Sequence, residues 1–463
     1  MEYQTPIPNI PVPEDEGQLR NISKTSFFSI NYESFLCDWL FPFINPFMDP
    51  GQCGGLSQSS ITHYLLKLLH FCHYNLDQHD PHAVILGMVD MSKAFNRVSH
   101  NLLIQDLYDM HVPGWLLCII ASYLSSRSMI LHFHGAQSST RSLPGGGPQG
   151  ALLGGIIFIV KFNGAALRPS VPRFIFSPHF KNQLRERKSM SVKFVDDLTV
   201  AVSVKLSQET AKRPSMPLPP SYRERTGHLL IPGTEMSSQL DNIEEFSNIN
   251  LMRINEDKTK LMVVNTSTAT DFLPSLAFGG GEPLEVIEST KLLGVILSSN
   301  LKWQENTDFI CKKGMSRLWL LRRLKMKNLE WDLILDYYTK EIRPVLELAA
   351  PAWHSGLTKA QSESIERIQK TALKIIFGPL YNNYEIACSL ACVEPLDSRR
   401  EFLSLNFAKK TADKSRHSDL FKPILNPVNT RQESKKYQEH SWRNWRFFHS
   451  PLPYLTRLLN TSN

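Results

Sequence analysis

The sequence predicts an α+β fold, with an antiparallel sheet in the middle of the chain and helices toward the C-terminus. Residues 190–194 and 198–202 are strand-like and flank a tight turn, which predicts a hairpin. Residues 83–89 form a continuous apolar run, as expected for a strand that is covered on both faces. From about residue 301 onward the apolar residues recur at helical spacing.

The predicted hairpin carries two adjacent aspartates, Asp196 and Asp197, at its turn. Asp is common in turns because its side chain bonds the local backbone, so the pair alone indicates little. A third aspartate, Asp90, ends the apolar strand and precedes a polar segment, residues 92–96, that is expected to start a helix. Asp90 could simply cap that helix, but a cap does not explain the hairpin pair. Three converging carboxylates favour hard cations such as Mg²⁺, and two such ions can clamp an in-line phosphoryl displacement.

A glycine-rich loop, residues 143–154, lies between Asp90 and the hairpin. Glycine lets the backbone approach a ligand closely. The loop runs into an apolar segment, residues 156–160, which could begin a helix with free N–H groups facing a phosphate. A glycine-rich loop by itself more often means a turn.

Composition sets broad limits on the class of protein. The chain has 463 residues, enough for several subdomains, and its 42% hydrophobic content argues against general disorder. The net charge of +7 suits a nucleic-acid partner but is weak support alone. Seven scattered cysteines indicate a reducing compartment, so we expect an intracellular protein of the nucleus or cytoplasm. No apolar stretch is long enough to cross a bilayer, so no membrane association is expected.

The motifs and their order resemble a known family. Asp90-x4-Phe95, then Pro148-Gln149-Gly150, then Phe194-Val195-Asp196-Asp197 are similar to the palm of a reverse transcriptase. More specifically, they resemble the polymerase of non-LTR (LINE-type) retrotransposons of animals. Further matching strings lie at residues 19–23, 52–55, 63–65, 255–260, 293–295, 301–303, 342–347 and 365–370.

The resemblance implies a right-hand polymerase that extends a DNA primer 3′-hydroxyl with dNTPs on an RNA template. Asp90, Asp196 and Asp197 would be the catalytic residues and would hold two Mg²⁺ ions (Mn²⁺ is the alternative), helped by a backbone carbonyl near Met91. Phe95 would be the steric gate that fills the space of a ribonucleotide 2′-hydroxyl.

Other residues of the resemblance would bind substrate. Gln149 and Gly150 would shape the pocket for the incoming nucleotide and the templating base. Lys258 would lie near the nucleotide phosphates, and Arg20 would reach the triphosphate. Since the primer hydroxyl attacks the α-phosphate directly, the protein mainly positions groups and stabilises charge.

Several positions depart from the family pattern. Asn9 stands where a triphosphate-binding lysine is usual, and this change could weaken nucleotide binding. The other departures are Asn21 for proline, Asn96 for aspartate, Phe194 for tyrosine, and a looser pattern at Gly155 and residues 161–164. None of them removes an expected metal ligand.

The resemblance also implies a domain order. Residues 1–85 would be truncated fingers, 86–300 the palm, 301–415 a helical thumb and connection, and 416–463 a basic aromatic tail. Within the palm, a Pro-rich insertion is expected at residues 207–238, followed by a helix near 239–247 and a strand at 260–264.

The segment from Lys312 to Lys327 is dense in Lys and Arg and has Leu318, Leu321 and Leu324 on one face. As a thumb helix it could neutralise template–primer phosphates, with Arg317, Arg322 and Arg323 as the expected contacts. The alternative is an ordinary core helix with a solvated charged face. A following helix is expected to open with a capping box at Thr358 and Gln361 and to close at Gly378-Pro379.

In the tail, Trp442-Arg443-Asn444-Trp445-Arg446 could stack on unpaired bases or could pack as a hydrophobic plug. A histidine-rich segment at residues 63–82 and the pair Cys388 and Cys392 lack zinc-ligand spacing, so we expect no zinc site there.

No endonuclease-like region precedes the expected fingers within this sequence, whereas autonomous elements of the family carry one there, so we expect the polymerase portion of a longer element. One alternative is a decayed or domesticated copy that binds nucleic acid without polymerising. Another, from a different class, is a helical interaction protein whose acidic hairpin is structural.

Overall fold

A computed structural model of the chain describes residues 2–8, 19–24, 26–80, 82–92, 94–125, 127–133, 135–143, 145–147, 150–165, 189–205, 235–265, 276–279, 281–413, 415–424 and 435–462. Its strands are β1 (Glu2–Pro8), β2 (Leu19–Lys24), β3 (His82–Met91), β4 (Ser128–Phe133), β5 (Ala136–Gln137), β6 (Arg141–Ser142), β7 (Ser189–Phe194), β8 (Asp197–Lys205), β9 (Ile254–Val264), β10 (Glu285–Val286), β11 (Ser289–Leu292) and β12 (Val295–Ser298).

The helices of the described residues are α1 (Phe27–Ile44), α2 (Ile61–Leu76), α3 (His100–Asp109), α4 (Gly114–Leu124), α5 (Leu152–Lys161), α6 (Glu235–Ile249), α7 (Gln304–Met326), α8 (Trp331–Tyr337), α9 (Arg343–Glu347), α10 (Lys359–Phe377), α11 (Tyr384–Leu390), α12 (Leu396–Ala412), α13 (Trp445–Phe448) and α14 (Pro451–Thr461). The mixture of helices and antiparallel strands confirms the α+β class.

The central sheet has the strand order β10-β9-β3-β8-β7. Strand β3 pairs antiparallel with β8 and with β9, and β7 pairs antiparallel with β8, whereas the short β10 runs parallel to β9. The expected antiparallel sheet is therefore present, with one short parallel strand at its edge. A second sheet joins β1 and β2 near the N-terminus to β4 and its two short partners.

Two hydrophobic cores cover the two faces of the central sheet. On one face, Leu86 packs with Tyr64 of α2 and with the C-terminal helices. On the other face, Ile85 packs with apolar side chains of α1, α3, α4, α5 and α6. Because side chains alternate along β3, its continuous apolar run fills both cores, as the sequence predicts.

The C-terminal part is helical. The predicted capping box is confirmed, since Thr358 and Gln361 bond each other's backbone at the start of α10. Ile365, Leu373 and Ile376 on this helix are buried, as expected for core positions. Leu318 and Leu321 of α7 are also buried, and Leu324 packs against the same core.

Three sequence predictions need correction. The expected insertion at residues 207–238 is too long, because α6 already begins at Glu235, where Met236 enters the core and Gln239 bonds Glu235. The rest of that segment lies outside the described residues. Strand β9 begins at Ile254 rather than at 260, because Ile254 and Asn255 pair with β3 beyond a bulge.

The third correction concerns the segment after Asp90. Instead of an α-helix it forms a short 3₁₀ turn, Ala94–Arg97. The backbone carbonyls of Phe95 and Val98 accept the N–H groups of Gly147 and Gly146, at 2.9 and 2.8 Å. Those carbonyls are thereby used by the glycine-rich loop and do not continue a helical ladder.

Candidate active site

The three aspartates of the sequence prediction lie at one end of the central sheet, which we call the carboxylate end (Asp90, Asp196 and Asp197). Strands β3 and β8 pair in register as far as Val89 and Leu198. One further step of the same register places Asp90 opposite Asp197, and directly opposite residues share a face of the sheet. Asp196 occupies the hairpin turn between Phe194 and Asp197.

Asp90 and Asp197 face the core that contains α2. Along β3, Asp90 shares the alternation of Leu86, and along β8, Asp197 shares that of Ala201, and both apolar residues belong to this core. Thr199, on the same face, shares a hydrogen bond with the Tyr64 hydroxyl at 2.5 Å. Burial raises the pKa of Tyr64, and the nearby Asp197 carboxylate adds to the rise.

The backbone of the hairpin turn is strained, and residues of the segment around Gln52 hold it in place. Val195 has a φ of 60°, which is unfavourable for a β-branched residue. The buried side chain of Gln52 accepts hydrogen bonds from the Val195 N–H at 3.2 Å and from the Gly54 N–H at 3.0 Å. A Cβ on Gly54 would lie 2.5 Å from the Val195 nitrogen, so only glycine permits this close approach.

A buried ion pair fixes the strand that leads to the turn. Lys193 is fully buried, and its Nζ lies 2.7 Å from Asp49 Oδ2 and donates to the Asn163 carbonyl at 2.7 Å. Its backbone also exchanges hydrogen bonds with Gly51 and Cys53. The segment around Gln52 therefore packs directly against the hairpin.

Sequence reasoning missed these supporting contacts. The string at residues 52–55 was recognised only as part of the family resemblance, and its position against the turn is a finding of the structure. Nothing in the sequence marks Asp49 as the partner of Lys193. A partner 144 positions away in the chain has no local signal.

A bulge brings Lys258 to the carboxylate end. Between the pairs Met88↔Lys260 and Asp90↔Asn255 the register of β9 shifts, so residues 256–259 stand opposite Val89 alone. Lys258 is exposed within this bulge. The Asp90 N–H donates to Thr259 Oγ1 at 3.3 Å, which ties the bulge to the end of β3. Bulges are frequent beside active sites because they redirect side chains.

The glycine-rich loop and the 3₁₀ turn pack together beside this end. The Phe95 ring is half-buried and stacks on Phe158 of α5, with 4.5 Å between ring centroids. Gly150 has a φ of 102°, and a Cβ there would lie 3.2 Å from Ile22 of β2. The loop is thus held between β2 and the segment after Asp90.

Other predicted site residues are only partly described. Arg20 lies in β2 opposite Ile7, but its side chain is outside the described residues, as are Gln149 and Asn9. Met91 is buried and pairs with Ile254 of β9, so its backbone lies next to Asp90.

The arginines of α7 differ from one another. Arg317 donates to the backbone carbonyl of Glu341 and lies 3.7 Å from the carboxylate of that residue. Arg322 is exposed, and Arg323 lies over the exposed ring of Trp319, 5.4 Å from its centroid. Arg322 and Arg323 are accessible to a ligand, whereas Arg317 already has a partner.

The donor set of the carboxylate end suits Mg²⁺, which prefers oxygen ligands. Within the described ranges, no three His, Cys, Asp or Glu side chains lie close enough together to hold a metal ion. Mg²⁺ normally completes its shell with water and substrate phosphates. The structure therefore does not bring Asp90, Asp196 and Asp197 together as three ligands of one ion, and their role in metal binding stays a prediction.

Comparison with known proteins gives the family. Residues 12–297 match the family described as reverse transcriptase (RNA-dependent DNA polymerase), which is more than half of the chain. The chain belongs to this family, and membership implies a right-hand polymerase fold. The prediction of a reverse transcriptase is thus confirmed at the level of the family, and the alternative of a helical interaction protein with a structural acidic hairpin does not agree with this membership.

Solved structures of telomerase are similar to the chain at low identity. Telomerase from Candida tropicalis, in complex with the TWJ fragment of telomeric RNA, has a TM-score of 0.41 and 10% identity over 90% of this chain and 63% of that one. The corresponding Candida albicans complex gives 0.36 and 10% over 91% and 64%. The chain thus spans less than two thirds of these telomerase chains. In the comparison with curated proteins, none matches this chain.

No helix in the part of the chain that the structure describes is both long and apolar enough to cross a membrane.

Proposed function

We propose that the chain is the polymerase portion of a non-LTR (LINE-type) retrotransposon and copies RNA into DNA by extending a primer with dNTPs. The observation that carries this proposal is the carboxylate end, where Asp90 and Asp197 share one face of adjacent strands beside Asp196 in the turn. The order of the surrounding motifs supports the retrotransposon subtype.

In this proposal Asp90, Asp196 and Asp197 hold two Mg²⁺ ions, with Mn²⁺ as the alternative, together with the backbone carbonyl near Met91. When bound, such ions stabilise the attacking and leaving oxygens of the displacement. The protein's contribution is to keep the carboxylates at fixed positions. The Gln52 bonds to the turn and the buried Lys193–Asp49 pair supply that rigidity.

The incoming dNTP would lie between β2, the glycine-rich loop and the carboxylate end. Phe95 would exclude a 2′-hydroxyl, and its stacking on Phe158 would keep the ring from turning away. Gln149 and Gly150 would contact the nucleotide and the templating base. Arg20 and Lys258 would neutralise phosphate charge.

The domain roles follow from the same proposal. Residues 1–85 would act as fingers, 86–300 as palm, and 301–415 as thumb and connection. Arg322 and Arg323 on α7 would lie along the template–primer, with Arg317 near them. The protein would act inside the cell, in the nucleus or cytoplasm, where RNA templates and dNTPs occur.

Primer extension tests the proposal. The purified chain is given an RNA template, an annealed DNA primer, dNTPs and Mg²⁺, beside Asp196→Asn and the matched control Asp38→Asn, an exposed aspartate of α1. We expect extension by the parent and the control, and none by Asp196→Asn. A folded parent that binds the primed template without extending it would favour the decayed or domesticated alternative.

A further inference from the structure

The C-terminal tail presents an exposed surface that the polymerase chemistry does not use. We call it the Trp–Arg patch (Trp442, Arg443, Trp445, Arg446 and Phe448). The side chains of Trp442 and Trp445 are 48% and 66% exposed. Trp445 stacks on Phe448, with 5.0 Å between centroids and an interplanar angle of 19°, and Trp442 lies 5.0 Å from the same ring.

The backbone beneath the patch is firmly anchored. Asp77, at the C-terminal end of α2, is buried and accepts the backbone N–H groups of Arg443 and Asn444, both at 2.8 Å. The Asn444 side chain caps α13 by accepting from the Phe447 N–H. Phe447 is buried and packs near Tyr74 of α2. Phe447 is thus buried beneath the patch, whereas both tryptophans are exposed.

The C-terminal segment that carries the patch is cationic. Between residues 435 and 462 there are five Lys and Arg residues against one acid, Glu439, which itself pairs with Lys435 at 3.0 Å. No described acidic side chain forms an ion pair with Arg443 or Arg446, and both are exposed. Arg457 lies over Phe448, 3.7 Å from the ring centroid. Exposed indole faces beside unpaired guanidinium groups suit a ligand that offers both aromatic bases and phosphates.

The patch lies far from the carboxylate end. Asp77 ends α2 and comes shortly before β3 begins at His82, whereas Tyr64 near the start of α2 bonds Thr199 beside the carboxylate end, and Asp90 is near the end of β3. The eight residue steps from His82 to Asp90 span roughly 26 Å at the usual rise of a strand. A ligand on the patch would therefore not be the nucleotide at the site of polymerisation.

We infer that the Trp–Arg patch is a second binding site, which holds an unpaired strand of RNA by base stacking and phosphate contacts. The choice of RNA over DNA rests on the proposed function, because an RNA template has unpaired stretches outside the template–primer duplex. The stacking surface itself is indifferent to base identity, since every base has an aromatic face.

Binding of a labelled, unpaired RNA of about 12 nucleotides, a length within the usual site sizes, measures the patch directly. Fluorescence anisotropy is recorded without dNTPs for the full chain, for Trp442→Ala/Trp445→Ala, and for the control Trp115→Ala, an exposed tryptophan of α4. We expect the double variant to bind at least about tenfold more weakly and the control to bind as the parent does. Arg443→Gln/Arg446→Gln should also lower the salt dependence of binding.

Failure of this inference can be distinguished from failure of the proposed polymerase function, because Asp196→Asn should lose extension but should bind the RNA as the parent does. Equal affinity of the double tryptophan variant and the parent would overturn the inference. So would an equal loss for a blunt RNA duplex, which offers no unpaired bases. A dimer that the tryptophan substitutions dissociate would assign the patch to a second copy of the chain instead, and tighter binding of the matching DNA strand would contradict the choice of RNA.

Discussion

The C-terminal helices contain buried polar side chains with several hydrogen-bond partners, whereas the carboxylate end has a strained turn and an exposed lysine. In the helical region, buried Gln369 donates to the Glu394 carbonyl at 2.9 Å and to the Tyr384 hydroxyl at 2.7 Å, and accepts from Tyr338. Buried Glu366 accepts the N–H groups of residues 396 and 397. At the carboxylate end, by contrast, the turn is strained at Val195 and a bulge leaves Lys258 exposed.

This difference distinguishes side chains that stabilise the structure from side chains that we propose to act in the reaction. Satisfied buried polar networks make a region rigid and specify one packing. Strained or exposed groups persist only where neighbouring structure holds them in place. In this chain the rigid contacts at the hairpin come from Gln52, Asp49 and Lys193, which lie behind the turn. We therefore expect substitutions behind the turn and in the helices to change stability, and substitutions of the carboxylates to change the rate of extension.

The largest expected effect on stability is at the buried ion pair. Asp49→Ala leaves the fully buried Lys193 without its carboxylate, and breaking such a pair by removing one partner costs about 3–5 kcal/mol. Urea unfolding measures the loss. Asp80→Ala removes an exposed partner of Lys205 and should leave the unfolding midpoint unchanged. Similar midpoints for the two variants would show that the pair does not support the hairpin.

The helical network gives the next effect. Gln369→Leu leaves the Glu394 carbonyl and the Tyr338 hydroxyl without this partner, whereas the Tyr384 hydroxyl keeps Glu366, and the change should cost about 2 kcal/mol of unfolding free energy. Extension per folded molecule should stay near that of the parent, because the network is remote from the turn. Gln78→Leu, an exposed site, is the control. A slower extension rate with an unchanged unfolding free energy would contradict the prediction that this helical network supports stability and not catalysis.

Stability should also fall in mild acid. Burial lowers the pKa of His63 to about 4 and of His417 to about 2, with Lys67 adding to both shifts. Their rings pack 4.4 Å apart between α2 and residues after α12. The folded state keeps both neutral, whereas the unfolded chain binds protons below about pH 6.5.

The stabilisation is therefore complete above about pH 6.5 and is lost as the pH falls toward 4, by roughly 1 kcal/mol per pH unit for each histidine. Urea unfolding at pH 7, 6 and 5 measures this slope. The double variant His63→Gln/His417→Gln should flatten it. If the slope is the same in the variant, the acid sensitivity arises from other groups.

The smallest effect concerns the support of the turn. Gln52→Leu removes the acceptor for the Val195 N–H and should slow extension by about tenfold, because small misplacements of reacting groups are costly. Gln52→Glu keeps an acceptor oxygen and should recover most of the rate. We expect the loss in kcat rather than in KM for dNTP. Equal loss in both variants would mean that Gln52 acts through packing alone.

These contrasts also explain what the sequence could predict. The apolar strand ending at Asp90, the hairpin and the capping box at Thr358 are local patterns, and each was found where it was expected. The Lys193–Asp49 pair and the Gln52 contacts join distant segments, so no local period or spacing signals them. The 3₁₀ turn after Asp90 was missed for the same reason. The carbonyls of Phe95 and Val98 accept hydrogen bonds from Gly147 and Gly146 of the glycine-rich loop, which is distant in the sequence.

The most direct test of the account is single-nucleotide incorporation by Asp90→Asn beside Asp257→Asn, an exposed aspartate in the β9 bulge next to Lys258. Loss of a metal-binding carboxylate should remove several kcal/mol of transition-state stabilisation, hence about 10³-fold in rate. We predict that loss for Asp90→Asn and a rate near that of the parent for Asp257→Asn. Equal rates for the two variants would contradict the claim that the carboxylate end is the polymerase site.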